Sequence, residues 1–249
     1  MITAYHRPQT LDEALALLTQ PNTLPLGGGT LLSKTTPDPV EVVDLQSLGL
    51  DTIEVQGNAL KLGATVALQQ LLENANCPAA LKIALKLEAP LNLRNAATVA
   101  GTLVTCDGRS TFATVMLALD AKIEQLLPDG SSSGSRLSNI GEFLPLRPRG
   151  LITSMTVPLN VKLAFDYVSR TPADKPIVCA ALVQWNSGRT RLALGGYGKS
   201  PLLGMDGTEA EGLDTAARNA FHEATDEWAS AEYRMDAAAT LAKRCLESF

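Results

Sequence analysis

Three glycines in a row constrain this chain more than any other feature. In "LPLGGGTLLSK", Leu24 to Lys34, an extended apolar approach runs into Gly27, Gly28 and Gly29, and then into Thr30, Leu31 and Leu32. Adjacent glycines lose a great deal of backbone freedom on folding. The bend they form must therefore supply something that a side chain would block. Two arrangements do so. One is a nest, in which bare backbone N–H groups converge on an anion, usually a phosphate. The other is a tight strand-to-helix connection where two backbones pass closely. The common templates do not choose between them: there is no Gly-Lys-Ser/Thr of a P-loop, and the spacing is not Gly-x-Gly-x-x-Gly.

A second small-residue bend lies further on. "LNLRNAATVAGTLVTCDGRS" places Thr98, Val99, Ala100, Gly101 and Thr102 together, with Arg94 just before them. Two donor-rich bends could grip one elongated dinucleotide from two sides, with Pro25 and Leu26 leading into the first. Equally, Arg94 could be a surface guanidinium and "AATVAGT" a packed strand. Composition leaves both readings open.

The bulk of the sequence narrows the classes. At 249 residues, 45% hydrophobic and 19% charged, the chain can bury a sizeable core. A net charge of -5 without a Lys/Arg run argues against nucleic acid. No apolar stretch approaches the ~20 residues of a membrane span, and "MITAYHRPQT" lacks the core of a signal peptide. The chain is expected to be soluble and cytoplasmic. Cys77, Cys106, Cys179 and Cys245 are scattered singly, so this chain alone is not expected to hold zinc or an iron–sulfur cluster. His6 and His222 are the two histidines, which leaves little material for histidine-centred catalysis.

Periodicity gives a coarse architecture. "TLDEALALLTQ" reads as an amphipathic helix capped by Thr10, with Glu13 completing a capping box. Thr23 to Leu26 and "VEVVDL" at 40–45 read as strands, and "TIEVQGNALKLGATV" as a hairpin. "ALQQLLENA", Ala79 to Leu87 and "TFATVMLALDA" read as helices, while "ATVAGTLVTCDGRS" reads as extended. "KIEQLL" reads as a strand entering the turn "PDG" and an exposed loop "SSSGS"; "LITSMTVPL" follows as a strand. From about residue 161 come the strands "KLAFDYVSR", "IVCAALVQW" and "TRLALGGYG", then helices over Asp214 to His222 and "SAEYRMDAAATLAKRCLESF". With no βαβ repetition, the class is α+β. The expected domains are 1–160, in two subdomains split near 50–60, and 161–249.

The chain resembles a known family. "HRPQTLDEALALL", "LPLGGGTLLSK", "KLGATVALQQLL", "LNLRNAATVAGTLV" and "ATVMLALDAKIEQL" occur in the order and spacing of the FAD-binding subunit of the molybdenum hydroxylases, the medium chains of carbon monoxide dehydrogenase and xanthine dehydrogenase type. "AFDYVSRTPADKPIVCAALV" and "SAEYRMDAAATLAKRCLES" resemble the start and the closing helix of that family's C-terminal domain. The resemblance implies an FAD-binding domain of two α/β subdomains (PCMH-type) followed by a small α+β domain. It also implies an electron-transfer role: an iron–sulfur subunit and a molybdopterin subunit as partners, FAD here, and an external acceptor such as NAD or a quinone. Catalytic and metal residues in this chain are then not expected. The implied FAD contacts are Pro25, Leu26, Gly27 to Gly29, Thr30, Leu31, Leu32, Thr98, Val99, Ala100, Gly101, Thr102 and Thr111.

Departures from the family pattern fall at defined places. Leu31 stands where an acidic or amide residue is usual. Ala100 replaces the first glycine of a Gly-Gly pair, and Thr102 replaces an asparagine. Gly108-Arg109-Ser110-Thr111 stands where Pro-x-Ser-Asp is usual, so a carboxylate is missing, with Arg109 as a substitute phosphate partner. Asp166 lies where a relative can carry a lysine near the flavin. These changes motivate a second hypothesis, a degenerate paralogue acting as a scaffold or assembly module with weak or no FAD binding. A stand-alone flavin oxidase of the vanillyl-alcohol type would need acid–base residues that the sequence does not offer. Glu88 and Leu91 are lining candidates by position only. Trp185, Trp228, Tyr197 and Arg170 fit structural roles at least as well as ligand contacts.

Overall fold

A computed structural model describes residues 1–33, 38–127 and 134–249. Lys34, the turn at 128–130 and the serines at 131–133 lie outside the described residues.

The chain begins with β1 (Ile2–His6), α1 (Leu11–Leu18), β2 (Thr23–Leu26) and β3 (Val40–Asp44). These strands form a parallel sheet in the order β1-β3-β2. α1 is capped by Thr10 as its sequence predicts, Oγ1 accepting from the Glu13 amide at 3.2 Å, but Glu13 Oε2 reaches one residue past the expected box and accepts from the Gln9 amide at 2.8 Å. Ala14 and Leu18 of α1 pack on Val43 and Leu45 and reach Leu151. β1, α1 and β2 make one β-α-β unit, which is not repeated among the described residues. An eight-residue helix between two short strands leaves too little periodic signal to reveal it.

A second sheet follows, built from β4 (Ile53–Gln56), β5 (Ala59–Gly63), β6 (Lys122–Leu126), β7 (Ser135–Asn139) and β8 (Leu151–Pro158). It is antiparallel, in the order β4-β5-β8-β6-β7. Its helices are α2 (Leu68–Glu73), α3 (Ala79–Glu88), α4 (Leu91–Arg94), α5 (Val99–Thr105), α6 (Thr111–Ala118) and α7 (Ile140–Leu146). α5 corrects the extended reading of that stretch. Its Gly and β-branched residues are poor helix formers, but Thr98 caps it, accepting from the Gly101 amide at 3.2 Å. α6 is apolar on every side, and all eight of its residues are buried.

The third sheet, also antiparallel, has the order β12-β11-β10-β9, from β9 (Val161–Val168), β10 (Val178–Trp185), β11 (Thr190–Gly195) and β12 (Leu202–Gly207). α8 (Leu213–Ala220) and α9 (Ala231–Glu247) cover one face. The unbroken apolar run of β10 follows from burial on both faces. Cys179, Ala181 and Val183 join the core around α3 and α6, while Val178, Ala180 and Leu182 meet α8 and α9. All four cysteines are buried and free, and desolvation pushes the Cys106 thiol up to about 11 and that of Cys77 to about 12. Among the described residues no helix is long and apolar enough to cross a membrane.

Two arginine–aspartate clusters flank this sheet, one joining it to Asp120 after α6 and one between α9 and the loop before it. Arg191 Nη1 lies 2.6 Å from Asp206 and 3.4 Å from Asp120, and Arg189 Nη2 lies 2.8 Å from Asp206 and 3.0 Å from Asp120. Hydrogen bonding from Arg189, aided by the Arg191 charge, holds the Asp206 carboxyl below the usual range. At Asp226 burial opposes ionisation, but the bonds from Arg234 and from the Trp228 and Ala229 amides outweigh it, and this carboxyl is lowered too. A lowered carboxyl contributes stability that is complete above the unfolded value, about 3.9 for Asp, and is lost as pH falls through the folded value. Thermal melts should therefore show a Tm that drops below about pH 4, with a shallower drop in Asp206→Asn. Parallel curves for the two proteins would contradict this.

Candidate functional site

A cavity of ≈ 420 Å³ opens where the first and second sheets meet. Its wall is the glycine bend after β2, the length of α5, the start of β8 and the C-terminal end of α3. The bend follows the carboxyl end of a parallel strand, where α/β sheets commonly bind ligands. Of the residues implied by the resemblance, Pro25, Gly27, Gly28, Gly29, Thr30, Leu31, Leu32, Thr98, Ala100, Gly101 and Thr102 all line this cavity. Folding thus brings the two bends to one place.

The glycines turn out to have more than one physical reason. A Cβ on Gly28 would fall within 2.5 Å of the Ala96 carbonyl carbon and closer still to its oxygen. On Gly27 it would lie 2.8 Å from Thr98 Oγ1. Those two glycines are bare because the second bend lies directly on the first. Gly29 instead adopts a φ of +68°, a left-handed conformation with room around it. The close-approach reading therefore holds for two of the three. The nest reading survives beside it: among the described residues, no amide from Gly27 to Leu32 donates a hydrogen bond to another. These donors remain for a ligand.

The second bend differs from expectation. Its amides are already bonded: Val99 to the Val66 carbonyl at 2.9 Å, Ala100 to Ala64 at 3.2 Å, Thr102 to Thr98 at 2.9 Å, and Gly101 to the Thr98 hydroxyl oxygen. The Thr102 hydroxyl donates to the Thr98 carbonyl at 2.8 Å. The second bend supplies a wall rather than a set of donors, because residues 99–105 coil into α5 and use their amides there. Its departures from the family pattern are accommodated. Ala100 sits in that helix with an ordinary negative φ, since the non-glycine residues with positive φ are Asn22, Asp120 and Arg147.

Other expected contacts lie elsewhere. Leu26 ends β2, and its carbonyl accepts from the Leu45 amide. Val99 points into the core of the second sheet. Thr111 is fully buried at the start of α6, and its hydroxyl donates to the Ala84 carbonyl at 2.7 Å. None of these three lines the cavity. Arg109 is no phosphate partner. Its guanidinium donates to the carbonyls of Lys175 at 2.6 Å and Pro176 at 3.2 Å and sits 4.4 Å over the Trp228 ring, which Arg170 also faces at 4.9 Å. Arg94 braces Gln69, Lys86 and Ala89. Asp166 lies 3.7 Å from Arg244 of α9, and Tyr197 packs over Arg234; neither lines the cavity.

Sequence reasoning missed the charged part of the wall. Glu88, Asp107 and Lys175 all line the cavity, with Lys175 Nζ 3.5 Å from Glu88 Oε1 and 3.8 Å from Asp107 Oδ1. Glu88 had been singled out by position alone. Lys175 comes from the β9–β10 connection, far away in sequence, and no local pattern announces it.

Unused amides at one bend, a predominantly apolar wall from Leu24, Leu45, Leu68, Leu93, Leu151 and Ile152, and a fixed charge cluster beside α5 suit a molecule carrying both a diphosphate and a planar ring. The residues present therefore fit FAD. Residues 1–160 match the family described as FAD binding domain in molybdopterin dehydrogenase. The chain is 29% identical over 243 residues to the uncharacterized protein YgfM of Escherichia coli K12, covering 94% of this chain and 91% of that one. It is 25% identical to the carbon monoxide dehydrogenase medium chain of Afipia carboxidovorans, covering 98% and 95%. Reconstituted CO dehydrogenase from Oligotropha carboxidovorans superimposes with a TM-score of 0.81 at 25% identity, covering 98% of this chain and 96% of that one. The chain belongs to the FAD-binding subunits of the molybdopterin dehydrogenase family.

Proposed function

We propose that this chain is the flavoprotein subunit of a cytoplasmic molybdenum hydroxylase-type oxidoreductase. It receives electrons from an iron–sulfur partner, itself served by a molybdopterin subunit, and passes them through FAD to an external acceptor such as NAD or a quinone. The observation that carries the reading is the run of unused amides from Gly27 to Leu32 on the wall of a cavity lined mostly by residues of the stretch that matches an FAD-binding domain.

In this reading the amides of Gly27 to Leu32 hold the diphosphate, with the Thr30 hydroxyl beside them. Bound FAD supplies the electron-carrying chemistry. The chain's own residues bind, orient and exclude water: Leu68, Leu93 and Ile152 provide apolar surface, and Ala96 and Thr98, just before α5, pack against the first bend. The scattered, buried cysteines agree with clusters being held by another subunit.

Fluorescence titration tests this directly. The purified chain should take up FAD with a Kd of about 1 μM or tighter, equivalent to about -8 kcal/mol, and acquire visible flavin absorbance. A folded, colourless chain that takes up no FAD would overturn the reading in favour of a scaffold.

A further inference from the structure

We propose that Lys175 sets the charge felt by the flavin ring, and that Glu88 is the buried carboxylate that positions it. The inference rests on the FAD reading above.

Lys175 is fixed at both ends. Its carbonyl accepts from Arg109, whose guanidinium is in turn stacked on Trp228. Its ammonium lies against Glu88 Oε1. Glu88 is itself immobilised, because its other oxygen accepts from Ser110 Oγ at 2.8 Å, the Phe112 amide at 2.9 Å and Thr111 Oγ1 at 3.3 Å. Four elements thus converge to hold one ammonium on a cavity wall: the end of α3, the bend after α5, the start of α6 and the β9–β10 connection. That ammonium both pairs the buried Glu88 and lines the cavity.

Its place along the cavity supplies the ligand chemistry. α5 is capped by Thr98, beside Gly27, and ends at Thr105, two residues before Asp107, which lies beside Lys175. Seven helical residues at ~1.5 Å each separate the two by about 10 Å. With the diphosphate on the glycine bend, the flavin end of an extended FAD would reach the charged cluster if it runs along α5. Reduction of the ring by two electrons and one proton leaves a net negative charge on it. An adjacent ammonium favours that form and an adjacent carboxylate disfavours it. Lys175 and Asp107, both on this wall, should act with opposite sign.

Spectroelectrochemical titration of the FAD-loaded full chain, with electrons from an electrode, tests this. Lys175→Met should shift the preference toward oxidised FAD about tenfold, a potential about 30 mV lower for a two-electron couple. Lys175→Arg should restore it. Asp107→Asn should shift the potential upward, and that variant guards against a failure of Lys175→Met to fold around an unpaired Glu88. Asp107 is exposed, and Asn can still accept from the Arg109 amide, as Asp107 does at 2.9 Å. FAD-loaded Asp107→Asn with an unchanged potential overturns the proposal, as does an unchanged folded Lys175→Met. Failure of the unaltered chain to take up FAD overturns the functional reading first, before any variant is compared.

Discussion

Gly28→Ala is expected to abolish FAD uptake and to cost about 3 kcal/mol of stability or more, an overpacking effect at the upper end of the usual range. The reason is steric and local. The new methyl would overlap the Ala96 backbone carbonyl, which cannot swing aside as a flexible side chain could. One of the bends must move, and Ala96 is anchored through its amide to the Leu93 carbonyl at 3.1 Å, with the neighbouring Ala97 carbonyl accepting from Leu68. The first bend is therefore the one displaced, and the stretch of cavity wall that carries the unused amides is distorted. For a chain of this size the Tm should fall by roughly 6–12 °C. Gly57→Ala is the control. Unlike Gly28 it has a positive φ, +60°, but nothing lies within 4 Å of the added carbon. It should cost only about 1 kcal/mol and leave FAD binding intact. Equal effects from the two substitutions would show that the contact between the bends is unimportant.

Arg234→Met should destabilise the protein by about 3–5 kcal/mol. Arg234 is fully buried in α9, and its guanidinium donates to the Ala224 carbonyl at 2.6 Å, the Ala229 carbonyl at 2.9 Å and Asp226 Oδ1 at 2.7 Å. Methionine fills part of the volume but takes the guanidinium from the carbonyls of Ala224, Ala229 and Gly196 and leaves Asp226 without its counter-charge, though Asp226 keeps the Trp228 and Ala229 amides; a partner removed from a buried ion pair costs more than the pair contributes. The expected readout is a Tm lowered by roughly 10 °C. FAD affinity below the transition should be unchanged, because Arg234 does not line the cavity. The two substitutions thus separate binding from stability. A Tm within 2 °C of the unaltered chain, about 1 kcal/mol or less, would show the cluster to be dispensable.

Much of this could be read from residue order. Capping signals found α1, alternation found the β4–β5 hairpin, and continuous apolar runs found α6 and β10, because each of these patterns is local. The glycine triplet located the cavity for the same reason. What was missed depends on distant contacts. α5 looked extended, since its residues have weak helix propensity and the helix is stabilised by Thr98 and by packing. The second bend looked donor-rich, because which amides are already bonded is a property of the folded chain alone. Lys175 was invisible for want of any sequence neighbour among Glu88, Asp107 and Arg109. Arg109 looked available until Trp228 and the Lys175 carbonyl were seen to occupy it.

The alternation along β10 carries a consequence for the chain as a whole. The family match ends at residue 160, yet Phe165, Cys179, Ala181, Val183 and Ala193 belong to the same interior as α3 and α6. The cofactor-holding half is therefore roofed by the half that follows it. A swap of modules at residue 160 would strip that roof and wet the underside of α6 unless the incoming half brought the same apolar alternation on the strand that replaces β10.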